Sequence, residues 1–312
     1  MSTYAPTQNL TALTAPTPFQ RRVQQLSERS VSKYYQAFTD IDWQAHPIDP
    51  RDPRFELDAD HPLATADWYR EKSSDERALI GLDFVTASMK IGIVFENVLQ
   101  RGLLQLAMAL PDRDPSFRYA YHEVIEEAQH SLMFQEFIDR STRPSSTLSP
   151  GKRLATHFVA NLGRRFPELF MLFVLGGEEP IDREQRRALK HRTTLHPLLA
   201  RIMQIHVTEE ARHLCFARSW LTERVSQLSN TKRWALSLAA PVLLGFMART
   251  MLEPPRSLVA RYAIPPEVIE AAYRNNPTHR ASVRDALSGV TSLCDELGLI
   301  RPFTRPLWRW AI

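Results

Sequence analysis

Residues 122–130, His-Glu-Val-Ile-Glu-Glu-Ala-Gln-His, are echoed 83 positions later by residues 205–213, Ile-His-Val-Thr-Glu-Glu-Ala-Arg-His. Both copies contain Glu-x-x-His, as Glu127 with His130 and Glu210 with His213. On an α-helix, residues three apart lie about 60° apart on one face, so each motif aims a carboxylate and an imidazole in one direction. Two such turns on facing helices can hold two metal ions, provided that two further helices each add a glutamate. Neighbouring residues diverge by about 100°, so only one member of each Glu-Glu doublet can face the ions. Glu126 and Glu209 are therefore read as having no part in the site.

The helix before the first motif offers Glu96, the one acid in an apolar run about 31 residues ahead of Glu127. An unpartnered charge there would cost several kcal/mol, on the order of a buried polar group without its hydrogen bonds or more. The corresponding position before the second motif is a doublet, Glu178 and Glu179, ahead of Pro180. Helical phase with Val174 and Ile181 favours Glu178, whereas the two glycines and Pro180 offer a distortion that swings Glu179 inward. His206 lies four residues before Glu210 and shares its face; its counterpart in the first copy is Glu123. Four glutamates and three histidines suit iron, with manganese the alternative. Glu123 has a second reading, as a residue that orients a ligand. Single Glu-x-x-His pairs are common on solvated helices, and the metal reading rests on the matched pair with its two lone acids. His122, His157, His191 and His196 are read as surface or hydrogen-bonded histidines, and Cys215 as a small core residue.

The rest of the chain has to position these side chains. It has 312 residues, 44% hydrophobic and 24% charged, with only 10 glycines, the composition of an ordinary globular protein. A net charge of +4 over 39 basic and 35 acidic residues is too dilute to suggest nucleic acid. Two cysteines fit a reducing compartment and free thiols. The first twenty residues lack a signal-peptide pattern, which predicts a cytoplasmic protein. The apolar stretch from Ala235 to Ala248 is shorter than the ~18–20 residues a membrane span needs. Apolar residues recur at helical spacing, and strand-type alternation is hard to find. The reading is all-α: a four-helix bundle core with additional helices. Helices are predicted over Arg21 to Phe38, Asp75 to Leu110, Pro115 to Arg140, Gly151 to Lys190 with a break near Gly176 to Pro180, and His196 to Gln227. Shorter ones follow over Lys232 to Leu252, Pro265 to Asn275 and Ala281 to Leu297. An irregular loop is predicted over residues 41–63 and a crossover over 141–150. Residues 1–20 are expected to form a flexible arm and 21–312 a single helical domain.

These motifs resemble the p-aminobenzoate N-oxygenase family of di-iron proteins, which convert amines to hydroxylamine, nitroso or nitro products. The resemblance rests on FEN at Phe95 to Asn97, EEAQH at Glu126 to His130, EEP at Glu178 to Pro180, and LHPLLARIMQIHVTEEARH from Leu195 to His213. It covers about residues 75–250, and its most specific element is the third histidine, His206. It implies a ferritin-like bundle, an O2-dependent oxidoreductase, and two iron ions held by Glu96, Glu127, His130, His206, Glu210 and His213. The seventh ligand is one of Glu178 and Glu179; family spacing points to Glu179, toward which this reading leans. It further implies O2 and a small amine as substrates and an external electron donor, since no flavin or nicotinamide motif is found. A homodimer is left open, and neither nucleic acid nor membrane is expected as a partner. The competing expectations are a di-iron or manganese–iron hydroxylase or desaturase acting on carbon, and an iron-storage bundle.

Overall fold

A computed structural model describes residues 15–144 and 150–311 of the chain. Its helices are α1 (Pro18–Ser32), α2 (Asp67–Arg70), α3 (Ser74–Ala107), α4 (Pro115–Ser141), α5 (Pro150–Arg165), α6 (Pro167–Leu189) and α7 (Pro197–Val225). They continue as α8 (Asn230–Leu252), α9 (Arg256–Arg261), α10 (Pro266–Ile269), α11 (Pro277–Ala286), α12 (Ser288–Glu296) and α13 (Arg305–Ala311). No strand occurs among the described residues, and the architecture is an all-α, ferritin-like bundle. Residues 1–14 of the expected arm, and 145–149 of the expected crossover, lie outside the described residues.

Local chemistry sets the helix ends. Thr17 and Gln20 form a capping box for α1, and Ser73 and Glu76 do the same for α3. The helix therefore starts inside the stretch expected to be an arm. Asp114 caps α4, whose first residue, Pro115, needs no donor there. The long helix predicted from Gly151 to Lys190 is broken, but at Phe166 rather than at Gly176 to Pro180. Pro167 disfavours the helical conformation of the residue before it, and Phe166 sits at φ −149°, ψ 69°. Pro180 instead lies within α6, and three residues earlier Gly177 packs so closely that a Cβ would strike the ring of Phe95. The helix predicted over Ala281 to Leu297 is likewise two, parted at Leu287.

Antiparallel pairs α3/α4 and α6/α7 make the core, with α4 also packed on α7 and α3 on α6. A large apolar cluster containing Leu99, Tyr119, Val174, Phe216 and Ala217 fills one end of the bundle. A second, containing Met89, Met133, Phe134, Ile202 and Ile205, fills the other. Alone among the described helices, α3 is long and apolar enough to cross a membrane, and half of its apolar window is buried against its neighbours. The irregular segment between α1 and α3 is tied down by Trp43 Nε1 donating to Ala37 O at 2.7 Å and by Phe55 stacked on His196. Both cysteines are free thiols.

Candidate metal centre

Between the two apolar clusters, helices α3, α4, α6 and α7 bring together Glu96, Glu127 with His130, Glu178, and His206 with Glu210 and His213. Glu127, His130, Glu210 and His213 are 0% exposed, Glu96 is 1%, and Glu178 and His206 are 2%. The ligand atoms of Glu96, His130 and His206 lie within 4.8 Å of one another, as do those of Glu127, His130 and Glu210, of Glu178, His206 and Glu210, and of Glu96, Glu127 and Glu178. A further set of this kind is Glu123, Glu127 and His213.

Glu179 is not brought to this cluster. It turns away to an ion pair with Arg218 and lies against Gly289, while Glu178 occupies the inner face. The lean toward Glu179 is thus corrected: α6 runs through Pro180 as a regular helix, so helical phase decides, and phase selects Glu178.

Glu127 and Glu210 lie between the two imidazoles. His130 Nδ1 is 2.9 Å from Glu127 Oε2, and His213 Nδ1 is 3.0 Å from Glu210 Oε1 and 3.0 Å from Glu127 Oε1. The outer ring nitrogens cross over. His130 Nε2 donates to Glu209 at 3.0 Å, and His213 Nε2 donates to Glu126 at 2.7 Å. Arg212 Nη2 then links the two carboxylates, at 2.9 Å from Glu126 and 3.4 Å from Glu209. The first glutamate of each Glu-Glu doublet therefore orients the other motif's histidine, holding Nε2 outward and turning Nδ1 inward. Glu126 and Glu209, expected to have no part in the site, hold its two outer histidine nitrogens from beside the inner face. The signal was present in the repetition of the whole doublet, since a residue 100° off the inner face of one helix can still point at a neighbouring helix.

Electrostatics follow from packing so many acids together. Burial, and then the carboxylates of Glu127 and Glu178, hold the Glu96 carboxyl well above its usual range. Burial, then Glu210 and Glu127, does the same to Glu178. Burial pushes Glu123 up to about 8 and also raises Glu210. Burial opposes charge on His130, yet its bonds to Glu127 and Glu209 push it up to about 10. His213 is raised well above normal against the same burial by Glu210 and Glu127, whereas burial and His130 depress His206. Burial opposes charge on Glu127 as well, but His213 and His130 hold its carboxyl well below the usual range, so not every acid of the cluster collects a proton.

The donor set fits a pair of cations. Glu96 Oε2, Glu178 Oε1 and Glu210 Oε2 are buried without any hydrogen-bond partner among the described residues, an arrangement that is costly unless a cation accepts their lone pairs. Of the other histidines, His122 meets Arg118 and His157 meets Arg101, while His191 is exposed. His196 is buried against Phe55 with Nε2 3.4 Å from Pro47 O.

An all-α bundle with two buried Glu-x-x-His turns and a glutamate from each of the other two helices defines the ferritin-like carboxylate–histidine class. Residues 19–298 match the p-aminobenzoate N-oxygenase AurF family, a family of di-iron enzymes, and the chain belongs to it. Similar proteins include an uncharacterized protein of Mycobacterium bovis and another of Mycobacterium tuberculosis. Each is 34% identical over 286 residues, covering 91% of this chain and 84% of the relative.

Proposed function

We propose that this protein is a di-iron N-oxygenase that uses O2 to oxidise an amine to a hydroxylamine, nitroso or nitro product. The reading is carried by the convergence of four buried glutamates and three buried histidines, on four helices, in a chain of this family. Glu96, Glu127, His130, Glu178, His206, Glu210 and His213 would hold the metal, with iron preferred and manganese the alternative. The irons would supply the activation of O2, a task for which side chains are poor reagents.

The chain's own residues prepare the site. Glu126 and Glu209 hold Nε2 of His213 and His130, so that both Nδ1 atoms face inward, where a cation would take the place of their protons. Phe95 stacks on Phe173 with centroids 4.8 Å apart, and Phe134 lies 5.6 Å from His206, so aromatic rings flank the donors and exclude water. A substrate amine must enter with its nitrogen lone pair free, and a dry surround disfavours the charged ammonium form. Electrons come from an external donor.

The test is anaerobic loading with Fe(II), then O2 and a reductant in the presence of arylamines and aliphatic amines, with products read by mass spectrometry. Two irons per chain and N-oxygenated product support the reading. Carbon hydroxylation or desaturation, with every amine left intact, overturns it in favour of a carbon-oxidising enzyme.

A further inference from the structure

Glu123 takes no part in the ligand set above, yet it is built like a member of it. It is 1% exposed on α4, one turn before Glu127, and the echo places it where the second motif has His206. Its ligand atom lies within 4.8 Å of those of Glu127 and His213. A carboxylate that orients a ligand must accept a hydrogen bond, as Glu126 and Glu209 visibly do. Neither oxygen of Glu123 has any such partner among the described residues. An orienting role therefore has no geometry behind it, while a buried carboxylate with four free lone pairs beside two other donors has the geometry of a ligand.

Resting on the di-metal reading, we propose that Glu123 is an additional metal ligand and that the centre consists of two unlike sites. His130 and His206 with Glu96 form a nitrogen-rich site, and His213 with Glu123 and Glu127 forms an oxygen-rich one. The residue one turn before each Glu-x-x-His glutamate, Glu123 or His206, sets the character of the site it joins. The two sites consequently fill with different affinities, and the oxygen-rich site has the greater preference for hard cations such as Mn(II).

The test uses Co(II), whose visible absorption reports its donors, and Mn(II), each titrated into the full-length chain under anaerobic conditions. Stoichiometry is read by metal content after gel filtration, and folding by circular dichroism. The wild-type chain is expected to bind two Co(II) ions in distinguishable steps. Glu123→Gln, which keeps shape and removes charge, is expected to leave one step unchanged and weaken the other by more than ~100-fold, beyond what loss of an orienting contact gives. Glu123→His is expected to restore two-ion binding, to move the Co(II) bands as an oxygen donor is replaced by nitrogen, and to lower Mn(II) affinity at that site. Two ions bound to Glu123→Gln with wild-type affinities and spectrum overturn the assignment and leave the di-metal reading intact. A folded Glu123→Gln chain that loses both ions overturns the division into unlike sites. A wild-type chain that binds no cation overturns this proposal and the di-metal reading together.

Discussion

Asp83 and the glutamates around Glu127 are both buried acids in the same bundle, and their surroundings differ in one respect. Asp83 is fully enclosed and meets Arg143 Nε at 2.6 Å, Arg261 Nη1 at 2.8 Å and the Tyr262 hydroxyl at 2.6 Å. Burial opposes its charge, but these donors hold its carboxyl below the ordinary value. At the centre, by contrast, Glu96, Glu123, Glu126, Glu127, Glu178, Glu209 and Glu210 share one arginine, Arg212, and three histidines among the described residues. Several of those carboxyls are pushed up instead of down. A buried acid supplied with its own cations acts as a clasp, here joining α3 to α9 and to the chain beyond α4. Buried acids in excess of the protein's cations mark where cations from elsewhere belong.

The strongest way to break this contrast is Glu127→Gln. Glu127 lies in three of the donor sets, so its loss is expected to lower affinity for both ions by more than ~100-fold, the upper figure for a residue that merely orients a ligand. Metal content after gel filtration checks it, and a variant that retains two ions would mean that the acid excess is not the binding determinant. Next comes stability. Asp83→Asn leaves two guanidiniums facing a neutral group, at a cost of about 3 kcal/mol, the low end for a broken buried pair because Arg143 and Arg261 are partly exposed. That loss should be the same with or without a chelator. Glu96→Gln should instead raise the melting temperature when EDTA is present, because it removes an acid that its surroundings already disfavour as an anion.

A smaller effect is expected from Arg212→Met. It leaves Glu126 and Glu209 without their shared cation, loosening the carboxylates that orient both imidazoles, and should weaken metal binding by about 10-fold at unchanged stoichiometry. An unaltered binding isotherm would show that the crossed carboxylates are rigid without it.

The smallest effect separates the two regions by the sign of their pH dependence. Glu123 keeps a proton up to about 8 in the folded chain against an ordinary 4.5, and His130 up to about 10 against 6.5. With a chelator present, the folded chain therefore binds more protons than the unfolded one across that range, and stability should decline as pH rises through it. Asp83, depressed below 3.8, contributes stability that is present above that value and lost as pH falls below it. Denaturant melts in EDTA should lose part of the alkaline slope in Glu123→Gln and part of the acid slope in Asp83→Asn.

Much of this was legible from the chain alone. The proline at the start of α4 and the apolar periodicity located α3, α4 and α7 to within a few residues, because periodicity is a local property. The Glu-x-x-His turns were legible for the same reason, their spacing being a statement about one helix. Helix breaks were less so. Pro167 and Pro180 are the same residue type, and only the folded chain shows that the first starts a helix and the second lies within it. The choice between Glu178 and Glu179 had the same dependence, since it required knowing that α6 stays regular.

By itself the sequence determined which residue types stand one turn apart on single helices, and with them the class of chemistry the bundle could support. Only the tertiary structure decided the relations between helices: that Glu126 meets His213 and Glu209 meets His130, that Glu179 leaves for Arg218, and that Glu123 reaches the donors without a hydrogen bond of its own. Helical pitch sets which side chains share a face. The direction in which that face meets its neighbours is set by how four helices pack, and no single helix carries that information.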